Sequence, residues 1–341
     1  MAPFFEGRKV NKKFRRLILL IILIMSIFVY FEAKKEENFK EVIYSKPKKF
    51  SIDKIDVDLS LEVPKNEICE NVEKCALLGD LYLDEYYFDF GEEEFEEFET
   101  ESDKIGDMDA RKVLGLVEVK DDKLDKIDFK MKANQEKNFR EIFNIFVKMT
   151  PKKWREDITL VEAYSNSFSA AYVSTTEDSL EEQMLGINVD DVNDSKDGII
   201  SVLIHELGHV FSLNKSQYKI LDCEEVEFGN ELECFLDDSY LNKFYKTFYL
   251  NVSRDWRENS NKSEIDFQKF YEINKDNFVS SYAVNNIYED FSDSFMFFVL
   301  NQFPEEGKAY EEKIKFFYNY PELVLLRAQL LKNIVDNDLH K

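Results

Sequence analysis

The hydrophobic positions along the chain follow distinct periods, and each period predicts a type of element. Apolar and polar residues alternate from 55 to 63, which is the two-residue period of a half-buried strand. Around residues 139–146 apolar residues recur every three or four positions, which predicts a helix that ends before Pro151. Three further strands are predicted at 158–164, 168–174 and 184–189.

The second half of the chain is predicted to be mostly helical. A helix is expected at 199–213, and its three candidate N-cap residues are Asp194, Ser195 and Asp197. Further helices are expected at 287–302, where Pro304 follows, and at 321–335, where a proline occupies the first turn. A helix, three strands, a helix and a C-terminal helical part together predict an α+β fold with a small mixed sheet.

The first 31 residues predict an export element. Six basic residues within 1–16 precede an uncharged apolar stretch at 17–31. As a helix this stretch would rise about 22 Å, which is less than a full membrane span, so its length fits both a signal peptide and an anchor. We expect an uncleaved transmembrane signal-anchor because the stretch ends in large side chains, and secretion after signal cleavage is the alternative. The basic residues place 1–16 in the cytoplasm and the remainder of the chain outside the cell membrane.

Composition and charge describe the rest of the chain. Residues 32–130 are expected to form an extracytoplasmic stalk and a small N-terminal region with an acidic linker at 92–103, and residues 131–341 the main folded domain. The net charge of −24 disfavours nucleic acid as a partner, because the acidic chain would repel a phosphate backbone. The same charge favours basic peptides or divalent cations.

The four cysteines fall into two local pairs, Cys69 with Cys75 and Cys223 with Cys234. Neither pair has the C-x-x-C spacing of a structural zinc ribbon, and an exported protein can oxidise both pairs. Two local disulfides are therefore predicted, while other pairings and free buried thiols stay open.

The strongest chemical signal lies in the helix predicted at 199–213, where the five residues from His205 to His209 read H-E-L-G-H. Residues four apart lie one turn apart on one helix face, so both imidazoles can bind a single zinc ion. Glu206 would then face the water molecule at the metal as a catalytic base. The chain has only three histidines, which makes this spacing specific, and the alternative is a pair of ordinary helix histidines.

A catalytic zinc needs a third protein ligand. Lys215 stands where a metzincin would place a third histidine, and His340 is next to the end of the chain, so a carboxylate is expected. Glu289 is favoured because it lies four residues before Asp293 on a helix whose opposite face is rich in phenylalanine. Asp293 would accept a hydrogen bond from a ligand imidazole, unless it is simply a solvated acid. The competing donors are Asp290, Glu224 and Glu225.

The H-E-L-G-H helix followed by Glu289-x-x-x-Asp293 resembles the gluzincins, the thermolysin-like zinc peptidases in which a second helix supplies a glutamate ligand. The segment 281–290, in which Tyr282 lies seven residues before Glu289, is similar to anthrax lethal factor and the Pro-Pro endopeptidases. The likeness covers about residues 135–300. It implies a zincin-like catalytic domain and a catalytic role for Tyr282, whose alternative is a packed aromatic residue. It also implies that an extended substrate lies along the strand at 184–189, as an edge strand before the catalytic helix.

The sequence therefore predicts a membrane-anchored, extracytoplasmic zinc endopeptidase with one Zn²⁺ per chain and a peptide or protein substrate. Its metallopeptidase domain would span 131–341. Glu206 would assist the attack of zinc-bound water on a peptide bond, and Tyr282 would donate to the developing oxyanion. The alternative is a membrane-tethered binding or adhesion protein with a structural or vestigial zinc site.

Overall fold

The computed structural model describes residues 71–86, 111–165, 170–176, 179–190, 195–219, 234–249, 270–304 and 308–340. The strand predicted at 55–63, the acidic linker at 92–103 and the apolar stretch at 17–31 lie outside these residues. Within the described ranges, none of the helices has the length and apolar character needed to cross a membrane.

A five-stranded mixed sheet forms one part of the fold, with the strands in the order β2-β1-β3-β5-β4. The strands are β1 (Lys112–Lys120), β2 (Lys123–Leu124), β3 (Ile158–Ser165), β4 (Ala171–Thr176) and β5 (Ser179–Asn188). β3 runs parallel to β5, whereas the other pairs are antiparallel. The three strands predicted after residue 158 are confirmed as β3, β4 and β5. The hairpin of β1 and β2 was not predicted, because the apolar residues of β1 are consecutive rather than alternating.

The seven helices that the structure delimits cover much of the remaining described chain. They are α1 (Val72–Tyr86), α2 (Ala133–Met149), α3 (Lys196–Ser212), α4 (Tyr240–Phe248), α5 (Ile287–Leu300), α6 (Ala309–Phe316) and α7 (Pro321–Asp336). Four of them, α2, α3, α5 and α7, confirm predicted helices. Ser195 is the N-cap of α3 and accepts a hydrogen bond from the backbone N–H of Gly198 at 3.1 Å. With its mixed sheet and separate helices, the fold is α+β, as the pattern predicted.

β5 is an inner strand, so the prediction that the strand at 184–189 forms the sheet edge was wrong. Leu185 of β5 pairs with Val161 of β3 on one side and with Val173 of β4 on the other. β4 is the outermost strand next to β5. Only two residues separate β4 from β5, and such a short connection lets a strand fold back outside its successor. The order of the strands along the chain therefore did not predict their order in the sheet.

Elements on both sides of the boundary predicted after residue 130 pack together. β1 pairs with β3, and α1 packs against α7. The guanidinium group of Arg327 in α7 is fully buried and donates to the carbonyl oxygen of Phe298 at 2.8 Å and to the carboxylate of Asp80 at 2.7 Å. It also donates to the carbonyl oxygens of Ala76 and Asn301. One buried cation therefore joins α1, α5 and α7.

Two described cysteines, Cys75 and Cys234, are each disulfide-bonded. Cys69 and Cys223 lie outside the described residues, so the predicted local pairing stays a prediction.

We predict that Arg327→Met lowers the free energy of unfolding by about 3–5 kcal/mol, because it leaves the partly buried carboxylate of Asp80 and several carbonyl groups without their donor. Arg140 is a matched control, since its ion pair with Glu136 lies on the exposed face of α2. Arg140→Met should change stability by no more than about 0.5 kcal/mol. Urea unfolding of the variants measures both values, and equal losses would contradict the role assigned to Arg327.

Candidate metal centre

Helix α3 brings His205, Glu206 and His209 to one buried region between elements of the core. All three residues are at most 7% exposed. α3 packs against both β4 and α5, and the side chain of Gln183 in β5 donates to the carbonyl oxygen of Val210 at 2.9 Å. Because polar side chains are rarely buried without partners, their burial at this position indicates a specific arrangement.

Helix α5 is held in one orientation by its cap and by its aromatic face. The side chain of Asn286 accepts hydrogen bonds from the backbone N–H groups of Tyr288 and Glu289, which places Glu289 in the first turn. Farther along α5, Phe295 is fully buried, and its ring centroid lies 4.8 Å from that of Phe211 in α3. The first-turn carboxylate is thereby directed at α3, and the positive end of the helix dipole favours its negative charge.

Gly208 allows α3 and α5 to approach closely. A Cβ atom added at this glycine would lie 2.9 Å from the Oγ of Ser292 and 3.0 Å from its Cα. A Cβ contact of 3.0 Å is tighter than nine in ten real ones, so a side chain here would require Ser292 to move by a few tenths of an ångström. The missing side chain therefore sets the distance between the helix of the two histidines and the helix of Glu289.

Three ligand atoms from these two helices converge on one point. The Nε2 atoms of His205 and His209 lie 3.1 Å apart, and the Oε2 of Glu289 lies 3.0 Å from the first and 3.2 Å from the second. Among the residues that the structure describes, these three are the group that could hold a metal ion. The structure thus brings together all three residues that the sequence predicted as ligands.

The spacing of these atoms fits a small tetrahedral cation. Donors about 2.0–2.2 Å from a zinc ion in tetrahedral geometry are about 3.3 Å apart, close to the distances of 3.0–3.2 Å in the structure. Two imidazoles and a carboxylate are also a ligand set found in catalytic zinc sites. Without a positive charge between them, converging lone pairs would repel, so the donor set fits a bound metal.

Asp293 completes the surroundings of His205. Its Oδ1 lies 2.6 Å from His205 Nδ1, and its Oδ2 accepts a hydrogen bond from the hydroxyl of Ser280. Since an ionised carboxylate only accepts hydrogen bonds, His205 Nδ1 carries the proton in this pair. The Nε2 of His205 then presents its lone pair to Glu289 and His209, as a metal ligand requires.

The site favours positive charge at its centre. Burial opposes protonation of His205, but Asp293 and Glu289 outweigh it and hold the pKa of His205 well above its ordinary value. Burial also raises the pKa of Glu289, but the neighbouring imidazoles outweigh that effect and leave its pKa below the usual range. A metal cation would supply the same positive charge in place of a proton.

Glu206 lies beside the cluster and is in part without a partner. Its carboxylate accepts a hydrogen bond from the backbone N–H of Val173 in β4, whereas its Oε2 is buried and has no hydrogen-bond partner among the described residues. Burial raises the pKa of Glu206, which is the direction that suits a general base near neutral pH. The free oxygen is a place where a water molecule could be bound.

Tyr282 lies in the 3₁₀ turn Tyr282–Val284, directly before α5. Its ring packs edge-on against the imidazole of His205, with centroids 5.6 Å apart, and its hydroxyl hydrogen-bonds Glu289. Burial, followed by the charges of Glu289 and Glu206, raises the pKa of Tyr282 well above its ordinary value. The phenol therefore stays protonated and can donate a hydrogen bond near the cluster.

Asp290, the competing ligand on α5, points away from the cluster. Its fully buried carboxylate lies 2.5 Å from the ammonium group of Lys313 in α6 and accepts a hydrogen bond from the hydroxyl of Tyr249. The Lys313 ammonium also lies 4.0 Å from the ring centroid of Phe278. Asp290 thus anchors α5 to its neighbours. The other two competing donors, Glu224 and Glu225, lie outside the described residues.

Several residues at this site were not identified from the sequence. Gly208 carried a signal, because a glycine inside a helix costs stability and often marks close packing. Val173 carried no local signal, since it reaches Glu206 from a separate strand, and Lys313 carried none, since it pairs with Asp290 from α6. Ser280 also carried none, although it lies only two residues before Tyr282.

Comparison of this chain with protein-family models, with curated proteins and with solved structures finds no match.

We predict that Gly208→Ala lowers both stability and zinc affinity. Alanine normally stabilises a helix relative to glycine by about 1 kcal/mol, so a loss here would report the contact with Ser292. Overpacking of this kind costs about 1–3 kcal/mol, and it would move Glu289 away from the two imidazoles. Chemical unfolding and a zinc competition titration measure the two effects. A variant at least as stable as the parent, with unchanged zinc affinity, would refute the close approach of α3 and α5.

Proposed function

We propose that this protein is a zinc-dependent endopeptidase with a zincin-like catalytic domain of the gluzincin type. The observation that carries the proposal is the convergence of His205, His209 and Glu289 within 3.2 Å of one another, with the free carboxylate oxygen of Glu206 beside them. Three protein donors with an adjacent base are typical of catalytic zinc sites, whereas structural zinc sites have four protein ligands.

Zinc held by these residues would supply Lewis acidity, which acidifies water and polarises a carbonyl oxygen. Glu206 takes a proton from the attacking water molecule and returns it to the leaving amine. Its burial keeps the carboxylate in an environment where proton transfer near neutral pH is favourable. Tyr282 donates its hydroxyl proton in a hydrogen bond to the oxyanion that develops on the substrate. Asp293 holds the imidazole of His205 in the orientation for binding.

The substrate would be an extended peptide that lies along β4. This strand is outermost in the sheet, and Val173 within it contacts the catalytic base. Backbone hydrogen bonds along an outer strand provide affinity with little dependence on sequence, so the geometry supports a peptide or protein substrate as a class.

We place the catalytic domain outside the cytoplasm, behind the predicted signal-anchor. The disulfide bonds at Cys75 and Cys234 support this part of the proposal, because disulfides persist in oxidising compartments and are rare in the cytosol.

The purified protein should bind one zinc ion per chain. His209→Ala and Glu289→Ala should each weaken zinc binding by more than about 100-fold, because each removes a ligand rather than an outer partner. Glu224→Ala and Glu225→Ala are the controls, and they should retain full affinity. Competition titration with a chromogenic chelator measures these values. Loss of zinc in the control variants, with retention in Glu289→Ala, would reject Glu289 as the third ligand.

Glu206→Gln should keep zinc but lose hydrolysis of a peptide library, with kcat lower by about 10²–10⁴, because the amide cannot accept the proton of water. Glu272→Gln, at an exposed glutamate, is the matched control and should retain activity. If Glu206→Gln is as active as the parent, the proposed mechanism is wrong. If the parent binds zinc but cleaves no peptide in a broad library, a binding or adhesion protein with a structural zinc is the better description.

A further inference from the structure

The hydroxyl group of Ser280 takes part in two hydrogen bonds that lead to different elements. Its Oγ accepts the backbone N–H of Ala283 at 3.0 Å, within the turn that carries Tyr282. The same hydroxyl donates its proton to Oδ2 of Asp293, in the middle of α5. One side chain therefore contacts both the turn of the tyrosine and the residue that orients a metal ligand.

The hydrogen bonds beyond Ser280 converge on the carboxylate of Asp293. Both oxygens of Asp293 act as acceptors, one from Ser280 and the other from His205 Nδ1 at 2.6 Å. Because Asp293 has no proton to give, the hydroxyl of Ser280 must point at it, and the lone pairs of Ser280 are then available to Ala283. A hydroxyl group at position 280, which donates one proton and accepts another, therefore serves both neighbours at once.

We infer that Ser280 is a positioning residue that couples the placement of Tyr282 to the orientation of His205. The inference deepens the proposed function and rests on it for its catalytic meaning, since the two linked groups are the oxyanion donor and a metal ligand. Loss of the hydroxyl removes one of the two hydrogen bonds that hold Asp293 and the side-chain bond that closes the turn of Tyr282. Both groups are then less constrained.

The neighbouring Ser281 separates this role from an ordinary contribution of serine to a turn. Ser281 is the N-cap residue of the 3₁₀ turn, yet its side chain makes no capping hydrogen bond. Ser281→Ala is therefore a matched control, and Ser280→Thr is the conservative variant that retains a hydroxyl.

The first experiment uses metal-free protein and does not depend on activity. The chain has only three histidines, so ¹⁵N-histidine labelling yields three side-chain spin systems. In the parent, the Nδ1 proton of His205 should be observable and protected from exchange with water. Protection should be lost in Ser280→Ala and retained in Ser281→Ala and Ser280→Thr. If Ser280→Ala folds poorly, Asp293→Asn takes its place. One carboxylate oxygen then becomes an NH₂ group that cannot accept a proton, so protection of the His205 proton should be lost in this variant as well.

The second experiment measures zinc affinity and kcat in the same variants. Ser280→Ala should bind zinc about tenfold more weakly, at the lower end of the effect of outer partners, and its Co²⁺ form should have an altered visible spectrum. Its kcat should also fall, and this fall should be smaller when Tyr282→Phe is already present, because linked residues are not additive. A serine that only stabilised the turn would lower the free energy of unfolding without changing the Co²⁺ spectrum.

The outcomes separate the inference from the proposed function. If Ser280→Ala retains the protected proton, the zinc affinity and the Co²⁺ spectrum of the parent, the inference is overturned while the proposed function stands. If the parent binds no zinc, but its His205 proton is protected only when the hydroxyl at position 280 is present, the proposed function fails and the hydrogen-bonded link is supported.

Discussion

The close contact between α3 and α5 is the constraint on which the site depends. Gly208 leaves no side chain between the helices, and Ser292 occupies the space that a Cβ would need. Farther along the same pair of helices, Phe211 packs against Phe291 and Phe295. Aromatic packing thus holds the helices together at one end of the contact, and the glycine lets them approach at the other. Only this separation brings the carboxylate of Glu289 within reach of both imidazoles.

The helices around this contact are fixed by buried charges as well as by apolar packing. Lys313 neutralises Asp290, one residue from Glu289, and Arg327 joins α7 to α5 and α1. Buried charges are costly when they lose a partner, so these pairs strongly disfavour any rotation or shift of α5 that would separate them. Around the cluster itself two polar atoms have no hydrogen-bond partner among the described residues, Glu206 Oε2 and His209 Nδ1. Glu206 Oε2 is the atom to which we assign the role of general base.

The pairs of site residues within one helix could be predicted, because residues four positions apart lie on the same face of a helix. His205 and His209 are four residues apart, as are Glu289 and Asp293, and each pair lies on one face of its helix in the structure. The choice between Glu289 and Asp290 was harder, since adjacent helical residues differ only by a rotation of about 100°. Glu289 was favoured because it lies four residues before Asp293, on a helix whose other face carries the phenylalanines. Burial would not have separated the two, since Asp290 is the more deeply buried carboxylate.

From the sequence alone one can predict strands β3 to β5, helices α2, α3, α5 and α7, the α+β class and the residue types that can hold a metal, because these depend on neighbours within one or two turns. Helices α4 and α6 were not predicted. The tertiary structure alone decided that β4 rather than β5 is the outer strand, that Asp290 pairs with Lys313, and that Ser280 contacts Asp293. His205 and Glu289 are 84 positions apart. Their distance in space depends on how helices pack, and packing is set by the shape and charge of many side chains together rather than by any local pattern.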